Sequence, residues 1–218
     1  MNRYDMKKVK AVLFDLDGVI FDTEKQYSVF WGEQCRLFHP EEPGLEQRIK
    51  GQTLTQIYEQ ILTGDLEPMR PVVTSRLNAF EKTMTFGYIP GFMLFLDRLH
   101  RDGVKTAVVT SSNQEKMLSV YVQHPDFPQL FDVILTADDF TGSKPDPTCY
   151  LTAAQRLNVT PDECVVFEDS FNGLRAGKAA RMRVVGLSTT NTAEAIAHLC
   201  DAVISDYYES EKIDFLLK

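Results

Sequence analysis

Apolar residues in this chain come in two textures. Short continuous apolar runs end abruptly at acids, hydroxyls or glycine, and longer stretches repeat their apolar residues every three to four positions. The first run, Ala11 to Phe14, is closed by Asp15, Leu16, Asp17 and Gly18, which predicts a buried strand emerging into a tight turn. Lys25 to Phe38 then places Tyr27, Phe30, Trp31, Cys35 and Phe38 at helical spacing, and Pro40, Pro43 and Gly44 break the pattern. Thr53 is a suitable N-cap for a second helix bearing Leu54, Ile57, Tyr58, Ile61 and Leu62 on one face and ending at Gly64. A third helix is expected from Met69 to Phe86. No strand pattern lies between Thr23 and Gly87. Residues 23–87 are therefore expected to be a helical insertion in a core made of residues 1–22 and 88–218, with Gly87 to Gly91 as a hinge.

Beyond Gly91 the two textures alternate. A helix over Phe92 to Arg101 precedes a strand over Lys105 to Val109, which runs into Thr110, Ser111, Ser112 and Asn113. A helix over Glu115 to Val122 and a proline-broken loop lead to a strand over Phe131 to Thr136. After Ser143, Lys144 and Pro145, Asp146 as N-cap and Pro147 at the first helical position open a helix to about Leu157. The run Cys164 to Phe167 stops at Glu168 and Asp169, and Ser170 to Ala180 is helical. Val184 to Leu187 and Ala202 to Ile204 are two further strands, separated by a helix near Ala193 to Leu199. Such alternation predicts an α/β fold, a doubly wound, Rossmann-like parallel sheet with helices on both faces. Ligands of such sheets bind beyond the carboxyl ends of the strands, where the strand order switches.

Composition narrows the function. With 218 residues and a net charge of -8, the chain has no cationic excess for nucleic acid, and a phosphorylated substrate would need a local cation. Cys35, Cys149, Cys164 and Cys200 are widely spaced, which reads as buried thiols of a reducing compartment and not as zinc ligands or disulfides. MNRYDMKKVK has no apolar core and reads as no signal peptide. No window reaches the roughly 18 apolar residues of a membrane span. A cytoplasmic protein with no membrane partner is expected, as a monomer or weak homo-oligomer.

The polar strand ends carry complementary chemistry. Asp15 and Asp17 are not a calcium loop, because the later loop positions fall on Val19, Ile20 and Gln26. Asp15 and Asp169, with the backbone carbonyl of Asp17, offer oxygen ligands for Mg2+, and Glu168 could hold metal-bound water. A carboxylate at such a site can attack a phosphate that would otherwise repel it. Thr110 and the backbone N–H of Ser111 can bond phosphoryl oxygens, and Lys144 can screen Asp15 from them. Taken singly, each is an ordinary strand-end or solvated group. Four filled slots at successive strand ends favour an enzyme.

Four segments, DLDGV, VVTSSN, SKPDP and VVFEDSFNGLRAGKAA, are similar to the motifs of the haloacid dehalogenase superfamily, phosphatase type, and of its β-phosphoglucomutase-like group with a helical cap. The resemblance covers essentially the whole chain. It implies Asp15 as nucleophile, Asp17 as general acid and base, Thr110 and Lys144 on the phosphoryl group, and Asp169 on Mg2+ with help from Glu168. True dehalogenases lack the second acid, so Asp17 points to phosphoryl chemistry. Two positions depart from the mutases of the group: Tyr27 stands where they carry a His, and Leu54 where they carry an Arg. The expected activity is Mg2+-dependent hydrolysis of a small phosphorylated metabolite, such as a sugar phosphate. A phosphosugar mutase and a non-catalytic binding protein are the alternatives. Thr23, Lys50, Gly51, Gln52 and Asn113 are candidate substrate contacts.

Overall fold

The computed structural model describes residues 8–218. Residues 1–7, which the sequence reading gave to the core and read as no signal peptide, lie outside the described residues. The strands are β1 (Ala11–Phe14), β2 (Lys105–Val109), β3 (Val133–Leu135), β4 (Cys164–Glu168), β5 (Arg183–Leu187) and β6 (Ala202–Ile204). They form one sheet in the order β3-β2-β1-β4-β5-β6, every pairing parallel. Chain order reverses between β1 and β4, so the switch point lies at the end of β1.

Alternate residues of β1 feed two cores. Val12 and Phe14 pack on one face with Phe92, Phe95, Met117 and Tyr207. Ala11 and Leu13 pack on the other with Tyr150, Ala153 and Leu174. All four side chains are buried, as both-face coverage of a parallel sheet requires.

Before β2 the chain forms α1 (Glu24–Phe38), α2 (Leu45–Arg48), α3 (Leu54–Ile61), α4 (Arg70–Glu81) and α5 (Phe92–Arg101). The first four pack around their own apolar cluster, including Phe30, Trp31, Ile57, Ile61, Val73 and Leu77. Thr53 caps α3 with a reciprocal capping box to Gln56, as its position predicts. After β2 come α6 (Gln114–Gln123), α7 (Thr148–Arg156), α8 (Phe171–Ala179) and α9 (Ala193–Ile196).

Several boundaries differ from the sequence reading. The helix expected over Met69 to Phe86 is only Arg70–Glu81, preceded by a 3-10 turn over Gly64–Met69. Pro68 and Pro71 lack N–H groups and confine the α-helix start, while the Thr83 hydroxyl donates to Phe80 O (2.8 Å) and closes its end. Gly64 opens that 3-10 turn and stops no helix. α7 begins at Thr148 with Pro147 at the cap position, because the Asp146 carboxylate accepts from Thr148 N (2.8 Å). β3 loses its flanks: Asp132 bonds Thr106 N (2.8 Å), and Thr136 caps the next turn.

The two chain crossings into the helical insertion lie side by side. Phe21 and Tyr88 form an antiparallel bridge, Asp22 N donates to Gly87 O (2.8 Å), and Ile89 N donates to Ile20 O (2.8 Å).

Candidate active site

The carboxyl end of β1 delivers Asp15 to the middle of the sheet, where its N–H donates to Phe167 O of β4 (3.0 Å). Directly across, β4 ends in Glu168, and Asp169 follows it. The chain must then turn hard, and Gly18 makes this possible at φ +70. A Cβ on Gly18 would stand 2.0 Å from Asp169 Oδ2, so the turn can approach that carboxylate only without a side chain. Gly18→Ala is therefore expected to cost about 1–3 kcal/mol in backbone strain plus the displacement of Asp169. Gly44, at φ +84 with open space around it, supplies the control. Urea denaturation should show Gly18→Ala losing clearly more than Gly44→Ala. Equal losses would mean that Asp169 tolerates displacement.

Lys144 is the centre of the charge arrangement. Its ammonium donates to Asp15 Oδ1 (2.6 Å), Glu168 Oε1 (2.6 Å) and Val109 O (3.1 Å), and the residue is only 4% exposed. Glu168 Oε1 also accepts from the Tyr150 hydroxyl (2.9 Å). Its Oε2 accepts from Asp169 N (3.1 Å), Ser170 N (3.2 Å) and the Ser170 hydroxyl (3.1 Å). Both oxygens of Glu168 are thus engaged by protein donors. A Cβ on Gly173 would lie 1.7 Å from Glu168 Oε1, which explains the glycine in the first turn of α8.

Asp17 is gripped separately. Thr23 donates to Oδ1 (2.6 Å), and Ser112 (3.3 Å) and the Lys116 ammonium reach Oδ2. Thr110 Oγ1 accepts from Ser112 N (3.0 Å), which leaves its hydroxyl proton directed elsewhere. Asp169 accepts from Thr190, and its carbonyl from Asn191 (3.0 Å).

The carboxylates, both lysines and the Thr110 to Asn113 segment line a cavity of about 270 Å³ under the helical insertion. Asp15, Asp17, Thr110, Ser111, Asn113, Lys144, Glu168 and Asp169 line its floor, and Lys50, Gly51 and Gln52, between α2 and α3, line its roof. Thr23 does not line it; that residue is fully buried and serves Asp17. Asn113 also N-caps α6, accepting from Lys116 N (2.9 Å), and Gln52 donates to Arg48 O (2.9 Å). Tyr27 and Leu54, the two departures, both face the cavity. The Tyr27 hydroxyl donates to Glu81 Oε1 (2.7 Å). The sequence reading missed Lys116, Tyr150, Thr190 and Glu81. Only Lys116 left a trace, being three residues past a capping Asn at a strand-end loop.

Asp15, Glu168 and Asp169 place one oxygen each within 4.8 Å of one another. Burial, with Glu168 and Asp17 nearby, raises Asp15 to about 7 even though Lys144 pulls it down. Burial and the surrounding carboxylates hold Asp169 well above the usual carboxylate range. Burial alone would lower Lys144, but Asp15 and Glu168 outweigh it and keep the ammonium charged. Three converging carboxylates against one lysine leave a negative excess in a buried site. A hard cation with oxygen ligands fits that donor set, with Asp15 and Asp169 better placed for direct contact than the fully bonded Glu168.

A doubly wound sheet with strand-end carboxylates around a buried lysine at its switch point defines an α/β enzyme with its site at the carboxyl ends of the strands. The chain belongs to the haloacid dehalogenase-like hydrolase family, which it matches over residues 12–187. It is 33% identical over 82% of its length to a phosphorylated carbohydrates phosphatase of Thermotoga maritima, of which 85% is covered. It is 31% identical over 82% of its length to a beta-phosphoglucomutase of Bacillus subtilis, of which 83% is covered. A solved family IA, variant 3 hydrolase of Entamoeba histolytica superposes at a TM-score of 0.81, over 96% of this chain and 100% of that one, at 22% identity, which shows the shared fold. Among the described residues no helix is long and apolar enough to cross a membrane.

Proposed function

We propose that this chain is a Mg2+-dependent phosphatase of a small phosphorylated metabolite, working through a phosphoaspartate at Asp15. The observation that carries the proposal is Lys144, held 2.6 Å from both Asp15 and Glu168 in a buried cluster with Asp169. Lys144, the Thr110 hydroxyl and Ser111 N–H would hold the phosphoryl oxygens as charge spreads over them. The unbonded oxygen of Asp15 forms the new O–P bond while the ester P–O bond breaks and Asp17 gives the leaving oxygen its proton. A water then attacks the same phosphorus, Asp17 takes its proton, and Asp15 is released with phosphate. Bound Mg2+, held by Asp15, Asp169 and the carbonyl of Asp17, would neutralise charge and let an anionic nucleophile approach an anionic ester.

In this reading residues 23–87 are a cap domain over a core of 1–22 and 88–218. Its separate apolar cluster and the paired crossings near Phe21 and Tyr88 support the division. Among the described residues the roof contributes one cation, Lys50, against Glu24 and Glu81, which suits a substrate with a single phosphate. A mutase must grip a second phosphate and activate a sugar hydroxyl. Leu54 offers no charge for the first task. Burial, with Asp17 and Glu81 close by, holds the Tyr27 hydroxyl well above its usual range, so it is no substitute for a histidine near neutrality. The decisive assay supplies β-glucose 1-phosphate with glucose 1,6-bisphosphate and follows both products. Free phosphate should dominate. Glucose 6-phosphate forming faster would restore the mutase, and no turnover of any phosphate monoester would leave only a binding role.

A further inference from the structure

Among the described residues, Lys116 is the one buried cation of the cavity that the reaction above does not use. It sits in the first turn of α6, only 3% exposed, and its ammonium is ion-paired with Asp17 Oδ2. The same ammonium lies 4.8 Å from the centre of the Tyr27 ring, and the Tyr27 hydroxyl is bonded to Glu81 (2.7 Å). Asp17 and Lys116 belong to the core, whereas Tyr27 on α1 and Glu81 on α4 belong to the helical roof. A buried lysine is costly unless its charge is matched, and here the carboxylate and the ring face supply the match. The backbone is fixed too, because Asn113 accepts from Lys116 N (2.9 Å). Thr23 holds the other oxygen of Asp17, so the carboxylate is pinned from both sides.

We propose that Lys116 is a positioning residue that sets the Asp17 carboxylate for the second half of the reaction, where it takes the proton of the attacking water. The proposal rests on the phosphoaspartate reading. A lysine contacting phosphate would act on substrate capture. Lys116, whose ammonium is taken up by Asp17 and the Tyr27 ring, acts after capture. The water is a small, mobile nucleophile, and the base that activates it must already point at it. An ester leaving group is different, since it is anchored by the phosphoryl group it departs from. The Tyr27 ring keeps solvent off the ammonium, so the pairing with Asp17 is not diluted by competing waters.

The test uses 4-nitrophenyl phosphate, whose leaving group departs without needing a proton, so that phosphorylation of Asp15 is insensitive to Asp17. In Lys116→Met, kcat should fall by about 10²-fold, the scale of one general base. KM should fall in proportion, leaving kcat/KM within about 3-fold, because kcat/KM reports only the steps through phosphorylation. A rapid-mixing trace should show a burst of nitrophenolate approaching the enzyme concentration, no smaller than that of the wild type, followed by a steady state about 10²-fold slower. Lys116→Arg should restore most of kcat, since it keeps a cation within reach of Oδ2. A fall in kcat/KM matching that in kcat would make Lys116 a phosphate ligand and overturn the proposal. So would wild-type kinetics in the Met variant. If neither variant yields a folded protein by circular dichroism, the lysine is a structural ion-pair partner and the proposal falls as well. Absence of activity in the wild type with every phosphate monoester would instead remove the functional reading itself.

Discussion

Replacing Asp15 by Asn is expected to lower phosphate release by at least about 10³-fold while leaving the fold intact, because the covalent route is closed. The amide has the shape of the carboxylate, and its carbonyl oxygen can keep the contact that Asp15 Oδ1 makes with Lys144. It cannot form an acyl-phosphate. Stability should not suffer, since Lys144 retains Glu168 at 2.6 Å and one of three crowded carboxylates becomes neutral. At pH 8 the variant should melt at or above the wild-type temperature. Intact mass after acid quench should show no phosphate adduct on the variant. More than a tenth of wild-type activity in a preparation free of deamidated protein would remove Asp15 from the nucleophile role.

The floor of the site was legible because strand ends are legible. A buried strand must surface somewhere, and where Ala11 to Phe14 and Cys164 to Phe167 stop, acids begin. Parallel order brings those ends together without further information, and Asp15 and Asp169 do converge. The support of Asp17 was not legible in this way. Lys116 in a helix first turn reads as a solvated lysine, and only the fold buries it. The Tyr27–Glu81 bond spans 54 positions between two helices whose mutual placement no spacing rule predicts. Nor does a strand end reveal that the two oxygens of Glu168 accept from Lys144, Tyr150, Asp169 and Ser170. Local signals also failed where turns have no period. α2 lies in a segment punctuated by Pro43 and Gly44, and the 3-10 turn Tyr207–Ile213, which seats Tyr207 against Phe14, carries no alternation.

Removing the metal should abolish turnover, and the same carboxylates predict a stability signature that needs no substrate. In the cation-free protein Asp15 titrates at about 7, against an ordinary 3.8, because burial outweighs Lys144. A carboxyl with a raised folded value stabilises the fold through its bound proton. That stability is full below the unfolded value and is lost as pH rises through the folded one, so the window runs from about 4 to about 7. Asp169 is shifted in the same direction by burial and neighbouring carboxylates. One unit is worth ~1.4 kcal/mol, so Asp15 alone can weaken the cation-free fold by up to about 4 kcal/mol on going to pH 8, on the order of 10 °C in melting temperature. A divalent cation competes with those protons. Millimolar Mg2+ should therefore raise the melting temperature strongly at pH 8 and little at pH 5, and a chelator should reverse the shift together with the activity. In Asp169→Asn the pH 8 shift should largely disappear. An Mg2+ shift of equal size at both pH values, or full turnover in the presence of chelator, would mean that the cluster formed by Asp15, Glu168 and Asp169 is neutralised by protons and Lys144 alone.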